Sequence, residues 1–494
     1  MSGSGNETLF EPFPFPHATT IRVGHSNRLL LSQHSMAAGV LPQQEWRVRF
    51  IGPALVAAAL AWHPHPVNGF VVEFVLPLPG HYTTELLLEY NDTRLDGINP
   101  LCRDGALGDC YLRRNTSAVR VDCMDAGGVQ VVAQCMKACN EYCGAPALVH
   151  KLIPLKHPQL LAAGPGFLSR SFSPCVGHAA LGAGVWVDRA KACSEHGISV
   201  AFGHARGECE RAIINCASVR SQVGTRESLK SICNAQWVWR PFKCALRPIL
   251  APGLAALPHA SDHHHAQRMP APAAYAEVQF VGVSTTRELM AEFEQLGGAV
   301  AGKGSDGIDG YEELSAHNIR ASSTISVLAM TPCVGNPVGL TLRPDVPSDL
   351  ADLQGCVARM VLKARRAHSR FPAPVVLQRA AHAAPYLYDH EEESMQVKYH
   401  GVRGWQGVDA SIAAWNDMLS HELVMAASSG VVDYLGQLDE EVMSAPFWGG
   451  QRPGDPLQVS RDGLHWIGEQ ANRWFLANVA LLLLNVCVGL DRAV

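Results

Sequence analysis

Ser284 follows a short apolar segment in a pattern that could place a nucleophile at the end of a β-strand. Residues 278–283 are mostly apolar, which predicts a buried strand, and residues 286–296 follow with the spacing of a helix. Gly282 allows the chain to turn sharply between the two. A serine at a helix N-terminus lies beside backbone N–H groups that can stabilise an oxyanion, so the pattern indicates acyl transfer through Ser284.

A second segment supplies side chains that could activate this serine. A serine nucleophile needs a base within hydrogen-bond reach, and the base needs a partner that holds its tautomer. In the sequence Asp462-Gly-Leu-His465-Trp466, a turn would bring the carboxylate of Asp462 beside the imidazole of His465. On its own, such an Asp-X-X-His pair is more often a surface turn or a helix cap. It predicts a catalytic base and a carboxylate that orients it only when it is taken together with the nucleophile candidate Ser284.

The composition limits the classes of protein to which the chain can belong. Its 494 residues are too many for one ordinary core, which predicts roughly two or three domains. A hydrophobic share of 47% and a charged share of 17% are typical of folded proteins. The formal net charge is -5 and no basic stripe is present, which argues against a nucleic-acid-binding protein.

The N-terminal half predicts a tail, a β-domain and a cysteine-rich segment. Residues 1–17 are rich in Gly, Ser, Pro and Phe, as in a flexible tail. Residues 18–95 contain short strands without helices, the clearest at 70–76 and 82–90, which favours an immunoglobulin-like β-sandwich. No periodicity lasts through residues 96–170, which form the cysteine-rich segment.

Cysteines and glycosylation sequons point to the same compartment. Twelve of the fifteen cysteines fall between Cys102 and Cys244, which predicts a disulfide framework. Asn6, Asn91 and Asn115 lie in glycosylation sequons. Together these signals favour the lumen of the secretory pathway.

Two clusters of metal-ligand side chains each have a second interpretation. Cys135, Cys139 and Cys143 would share one helical face and could hold zinc, but no fourth ligand is obvious and disulfides are favoured. Residues 245–274 are rich in Pro, Ala and His and predict a linker or long loop, in which residues 263–265 are all histidine. A solvated histidine run is favoured over a metal site there.

The C-terminal half alternates strands and helices. Short apolar runs predict strands at 278–283, 324–328 and 374–377, and a further strand that starts at residues 430–432. Helical spacing of apolar residues follows Ser348 and recurs from Ile412 to Leu423. This alternation predicts a mainly parallel sheet covered on both faces, with a site at the carboxyl ends of its strands.

The chain termini carry two further expectations. The first residues have neither a basic start nor an apolar run, so no signal peptide or membrane anchor is visible. Residues 474–490 are apolar but are interrupted by Asn478 and Asn485. They fall short of the roughly 20 residues that a membrane span needs, which favours a buried terminal helix over a span.

The two reactive segments resemble blocks of a known family. Val-Gly-Val-Ser284-Thr-Thr-Arg resembles the Gly-Asp-Ser block of the PC-esterase family, in the GDSL/SGNH superfamily, and the segment 462–466 resembles its Asp-X-X-His block. Cys175 with Gly-Val-Trp-Val at 184–187, Trp-Val-Trp-Arg-Pro-Phe-Lys-Cys at 237–244 and Gly-Val-Val-Asp at 430–433 resemble three further elements. The likeness spans roughly residues 171 to 490, and the strands before it resemble the immunoglobulin-like domain of the NXPE-like branch.

The resemblance implies a fold and an activity. It implies a three-layer SGNH-like α/β domain over residues 171–494. This domain would transfer an O-acyl group, in particular O-acetyl, to sugar hydroxyls of polysaccharides or glycoconjugates in the Golgi lumen. The trichome birefringence-like relatives of plants have this activity. Ser284 would be acylated, His465 would take its proton and later activate the acceptor hydroxyl, and Asp462 would orient His465. The implied partner is the glycan acceptor, and a nucleic-acid partner is not implied. No bound cofactor or metal is implied. The acetyl donor, acetyl-CoA or another, is left open.

Two departures from the family pattern keep other functions open. Val283 replaces the aspartate of Gly-Asp-Ser, and residues 343–350 lack the oxyanion block of the relatives. Asn336 could replace the missing donor or be an ordinary turn residue. The alternatives are a slow enzyme, a carbohydrate acetyl esterase, an inactive protein that binds glycans or a partner, and a misassigned stretch of sequence.

Overall fold

The structure is a computed structural model that describes about half of the chain. The described residues are 10–12, 20–33, 43–63, 69–92, 148–153, 159–166, 168, 173–195, 198, 202–203, 214–216, 219, 227–246, 278–281, 284–300, 325–329, 358, 374–379, 404–447, 466 and 473–490. Cys135, Cys139, Cys143, the histidines at 263–265 and nearly all of the helix predicted after Ser348 lie outside them. The domain boundaries remain predictions.

The N-terminal half forms an antiparallel network of strands. The strands are β1 Phe10–Pro12, β2 Thr20–Arg22, β3 Ser26–Gln33, β4 Gln43–Ile51, β5 Ala54–His63, β6 Gly69–Val75, β7 Gly80–Asp92, β8 Leu148–Ile153 and β9 Gln159–Ala163. They are ordered β1-β3-β6-β5-β4-β7-β9-β2, with β8 beside β7, and among these pairs only β2–β9 is parallel. The β-rich character predicted for residues 18–95 is confirmed, whereas β1 lies in the predicted tail and β8 and β9 lie in the cysteine-rich segment, where no strand was predicted.

Strand β5 connects two parts of this network. Its first half pairs with β4 and its second half pairs with β6. Val72 and Phe74 of β6 share one buried core with Val48 and Phe50 of β4, and the Phe50 and Phe74 rings stack at 4.1 Å. Along residues 81–86 of β7, side chains alternate between buried and more exposed positions, as the period-two pattern predicts.

The next elements extend the β-network and contain two disulfides. They are the 3₁₀ helix η1 Gly177–Leu181, β10 Gly184–Asp188, α1 Arg189–Ser194, β11 Phe202–Gly203, β12 Ile214–Asn215, α2 Glu227–Asn234 and β13 Trp237–Pro241. Strand β10 pairs with β13 along its length and with β5 at its other edge. The bonds Cys175–Cys244 and Cys216–Cys233 confirm the disulfide prediction for this stretch.

The C-terminal half contains the predicted parallel sheet. Its elements are β14 Val278–Val281, α3 Ser284–Gln295, β15 Ile325–Ala329, β16 Val375–Arg379, α4 Gly404–Ser428, β17 Tyr434–Asp439, α5 Glu440–Met443, the 3₁₀ turn η2 Ala445–Phe447 and α6 Arg473–Leu490. The four strands are all parallel, in the order β14-β15-β16-β17. The protein is therefore a mixed α/β structure with a parallel sheet, as predicted.

The last strand begins later than the sequence indicates. Val431 and Val432 were expected in a strand that starts at Gly430, but β17 begins at Tyr434. The backbone of Gly430 has φ 69°, and its N–H and that of Val431 bond to carbonyls of the last turn of α4. These residues therefore close the helix before the chain can extend.

Helix α6 is the buried terminal helix that the sequence predicts. Residues from Trp474 to Cys487 are all buried, and the helix packs against α2, α3 and η1. The two asparagines that interrupt its apolar run are satisfied inside the protein: Asn478 Oδ1 accepts from Trp239 N at 3.3 Å, and Asn485 Nδ2 donates to Leu481 O at 2.7 Å. Among the helices that the structure describes, none is long and apolar enough to cross a membrane.

Candidate functional site

Ser284 lies at the junction of a strand and a helix, as the sequence predicts. Strand β14 ends at Val281, and Ser284 is the first residue of α3. The helix is held on the sheet by apolar side chains: Leu289 and Phe293 are fully buried, and the Phe280 and Phe293 rings lie 5.6 Å apart. The structure describes Ser284 by its backbone only.

The parallel sheet brings the ends of four strands to the same edge. The register aligns Val281 of β14 with Leu328 of β15, Leu377 of β16 and Gln437 of β17. Residues that end or follow these strands therefore share the edge at which α3 begins. In parallel α/β sheets this is the edge that carries binding and catalytic residues.

Trp466 links the predicted base segment to the serine helix. Its backbone N–H donates to Glu288 Oε2 at 2.9 Å. Its ring is buried, with its centroid 5.2 Å from that of Phe447 and 4.4 Å from that of Phe475. Glu288 lies one helical turn after Ser284, so Trp466, the residue that follows the Asp-X-X-His segment in the sequence, is anchored near the start of α3.

The other predicted site residues lie outside the part of the chain that the structure describes. Asp462, His465 and Asn336 belong to this group, so the contact between Ser284 and His465 stays a prediction. Of the three asparagines in predicted glycosylation sequons, Asn91 lies in β7 opposite Gln44, and Asn6 and Asn115 are outside the described residues. No group of three or more metal-ligand side chains occurs among the described residues.

Two threonines beside Ser284 were not singled out by the sequence. Thr285 and Thr286 are each only 2% exposed, and within the described residues neither hydroxyl has a hydrogen-bond partner. A buried hydroxyl without a partner costs about 1–3 kcal/mol. Both threonines lie in the first turn of α3, where backbone N–H groups are also without intrahelical partners.

A charged cluster occupies the same edge of the sheet, at the ends of β16 and β17. Arg379 contacts Asp417 at 2.7 Å, Glu441 at 3.2 Å and Asp439 at 3.8 Å. Burial raises the pKa of Asp439, and the nearby Arg379 opposes that rise. None of these residues is among the predicted site residues, although charged residues directly after apolar strands are a usable signal.

A buried carboxylate connects α3 to a surface cleft. Glu292 is fully buried, and its oxygens accept from Arg473 Nε at 2.6 Å and from Ser228 Oγ at 2.6 Å. Arg473 also lines a cleft of about 490 Å³. Ser284, Glu288 and Glu292 follow one another at four-residue intervals on α3, so one helix face connects the serine, the Trp466 anchor and this cleft.

Comparison with known proteins adds no assignment. No family model matches the chain, and no curated protein matches it either.

Proposed function

We propose that this protein is a serine-dependent O-acyltransferase that acetylates sugar hydroxyls of polysaccharides or glycoconjugates. The observation that supports it best is the hydrogen bond from Trp466 N to Glu288 Oε2. His465 directly precedes Trp466, and consecutive Cα atoms are about 3.8 Å apart. Ser284 starts about 6 Å along the helix axis from Glu288. This anchor supports the proposed contact between the imidazole of His465 and the hydroxyl of Ser284.

The proposed reaction has two steps through an acyl-serine. Ser284 Oγ attacks the carbonyl carbon of the acyl donor, its proton passes to His465, and the leaving group departs with that proton. A sugar hydroxyl then attacks the acyl-serine, gives its proton to His465, and leaves as the ester while Ser284 regains its proton. Asp462 orients the imidazole, and backbone N–H groups at the start of α3 stabilise the oxyanion of each step.

Three structural features support membership of the PC-esterase family, with an SGNH-like domain after an immunoglobulin-like one. The parallel sheet places Ser284 after β14. Strands β10 and β13 pair, with Trp186 opposite Trp239, so two elements of the resemblance are neighbours. The Cys175–Cys244 disulfide joins the same two elements. Disulfides persist in oxidising compartments, which favours the Golgi lumen or secretion for this activity.

The test is covalent labelling of the full chain with an activated acetyl ester. Wild-type protein should gain one acetyl group on the peptide that contains Ser284, detected by mass spectrometry, and Ser284→Ala should not. His465→Ala should slow labelling strongly, whereas Ser429→Ala, at an exposed serine after α4, should label like wild type. Equal labelling of wild type and Ser284→Ala would remove Ser284 from the mechanism.

A non-catalytic binding protein is the second candidate, favoured by Val283 in place of the family aspartate. It predicts glycan or partner binding with no labelling of Ser284. A carbohydrate acetyl esterase shares the acyl-serine, and water replaces the sugar hydroxyl in the second step. Mass spectrometry of the products distinguishes the esterase from the transferase, because a transferase yields an acetylated sugar and an esterase yields free acetate.

A further inference from the structure

The cleft beside Arg473 lies between four elements that the acyl-transfer step does not use. It is formed by α2, the start of β13, η2 and the start of α6. Its lining includes Lys230, Asn234, Gln236, Trp237, Phe447 and Arg473. A volume of about 490 Å³ lies within the usual range of small-ligand pockets.

The lining combines aromatic rings with hydrogen-bonding groups. Trp237 is partly exposed, and Asn234 and Gln236 are exposed. Arg473 Nε is bound by Glu292, and within the described residues its two terminal amino groups have no partner. Amide and guanidinium N–H groups can donate hydrogen bonds to hydroxyl oxygens, and an aromatic ring can pack against the apolar C–H face of a sugar ring.

The charges around the cleft balance each other. Arg473 is paired with the buried Glu292 at 2.6 Å, and Lys230 lies 3.5 Å from Glu227. Among the described residues that line the cleft, there is therefore no excess of positive charge with which to attract a phosphate or a polyanion. This balance favours an uncharged ligand that is rich in hydroxyl groups.

We propose that this cleft binds a neutral sugar residue of the acceptor glycan, at a distance from the hydroxyl that receives the acyl group. Glu292, which holds Arg473, is eight residues after Ser284 on α3, so the two positions are separated by about 12 Å along the helix axis. That distance exceeds a single sugar ring. The acceptor is therefore an oligosaccharide or polysaccharide, with one unit in the cleft and another at the serine. This inference rests on the proposed acyltransfer function.

The test measures binding of neutral oligosaccharides of increasing length to the full chain by saturation-transfer NMR and calorimetry. A panel of gluco-, manno-, xylo- and galacto-oligosaccharides serves as the probe. We expect at least one series to bind, with affinity that rises with length. Trp237→Ala should weaken that binding roughly tenfold. Trp237→Phe, which keeps a ring, should retain most of it, and Val424→Ala, at an exposed residue of α4, should bind like wild type.

The labelling assay keeps this inference separate from the proposed function. Trp237→Ala should form the acyl-serine at the wild-type rate, which also shows that the variant is folded. Oligosaccharide binding that depends on Trp237 without any labelling of wild-type Ser284 would support the cleft and contradict the acyltransferase. If Ser284 is labelled, three results would overturn the cleft proposal. They are no binding by any neutral series, tighter binding of uronate oligosaccharides than of neutral ones, and equal binding by wild type and Trp237→Ala.

Discussion

At the scale of single residues, the candidate site depends on carboxylates that hold other groups in position. Glu288 binds the backbone of Trp466, Glu292 binds Arg473, and Asp439 contacts Arg379. A misplacement of about 1 Å at a reacting group can cost on the order of 100-fold in rate. Variants of these carboxylates therefore test the site without removing a reacting atom.

Glu288→Ala tests the anchor of the base segment. It removes the acceptor for Trp466 N, so we expect acyl-enzyme formation to slow on the order of 100-fold, with a loss of about 1–2 kcal/mol in the free energy of unfolding. Glu288→Gln keeps a carbonyl acceptor and should retain most of the rate. The measurement is the initial rate of labelling by the activated ester. A wild-type rate in Glu288→Ala would show that this hydrogen bond does not position the base.

Asp439→Asn tests how the charged cluster around Arg379 contributes to the pH dependence of stability. Burial raises the pKa of Asp439 in the folded protein. Such a carboxyl group favours folding when protonated, so its contribution is present at low pH and is lost as the pH rises from the ordinary aspartate pKa of about 3.9 through the raised value. Asparagine does not titrate and keeps an oxygen for Val442 N.

We therefore expect the free energy of unfolding of wild type, relative to Asp439→Asn, to fall as the pH rises through this window. Urea denaturation at a series of pH values measures the difference. A difference that grows with pH would mean that Arg379 controls the titration of Asp439 more strongly than burial does.

At the scale of elements, the junctions that follow α4 and β14 decide where side chains reach the sheet edge. Gly430 closes α4 in the left-handed region, and β17 then delivers Asp439 and α5 to the edge. The start of α3 likewise places Ser284 at this edge, just after β14.

Gly430→Ala tests the first junction. No atom lies within 4 Å of a Cβ added at Gly430, so the cost is conformational and not steric. A non-glycine residue in this region costs about 1–2 kcal/mol, which we expect as the loss in the free energy of unfolding. Gly430→Asn should lose less, because asparagine adopts this conformation more readily. Urea denaturation measures both, and equal stability of wild type and Gly430→Ala would show that the helix end can rearrange.

Local pattern predicted the elements better than their partners. The apolar runs at 278–283, 324–328 and 374–377 each overlap a strand, because a buried parallel strand is apolar throughout. The predicted start of β17 was wrong because Val431, despite its strand propensity, belongs to the cap of α4, and the strand begins only at Tyr434. The pairing of β10 with β5 and the contact of Trp466 with Glu288 join residues far apart in the chain, and periodicity does not report such contacts.

At the scale of the whole molecule, the two sheets are joined through a few specific contacts around η2. Arg49 Nη1 of β4 donates to Ala445 O at 2.8 Å, and Trp186 Nε1 of β10 donates to Met443 O at 2.8 Å. The Trp186 ring also contacts the rings of Trp239 and Trp474. The antiparallel strands therefore support the segment that carries Phe447 to the cleft.

The two disulfides provide a test of how the covalent framework stabilises this arrangement. Cys175–Cys244 closes a separation of 69 residues that includes β10 and β13, and Cys216–Cys233 closes a separation of 17. If a crosslink acts by limiting the unfolded chain, its loss costs about 4 kcal/mol for the longer loop and about 3 kcal/mol for the shorter one. Both pairs are buried, so the comparison is matched.

We expect replacement of Cys175 and Cys244 by alanine to lower the free energy of unfolding more than replacement of Cys216 and Cys233. Urea denaturation of the two double variants measures the difference, and non-reducing peptide mapping checks that the remaining bond is intact. A larger loss from the shorter loop would mean that native packing around α2, and not the entropy of the unfolded chain, determines the contribution of these bonds.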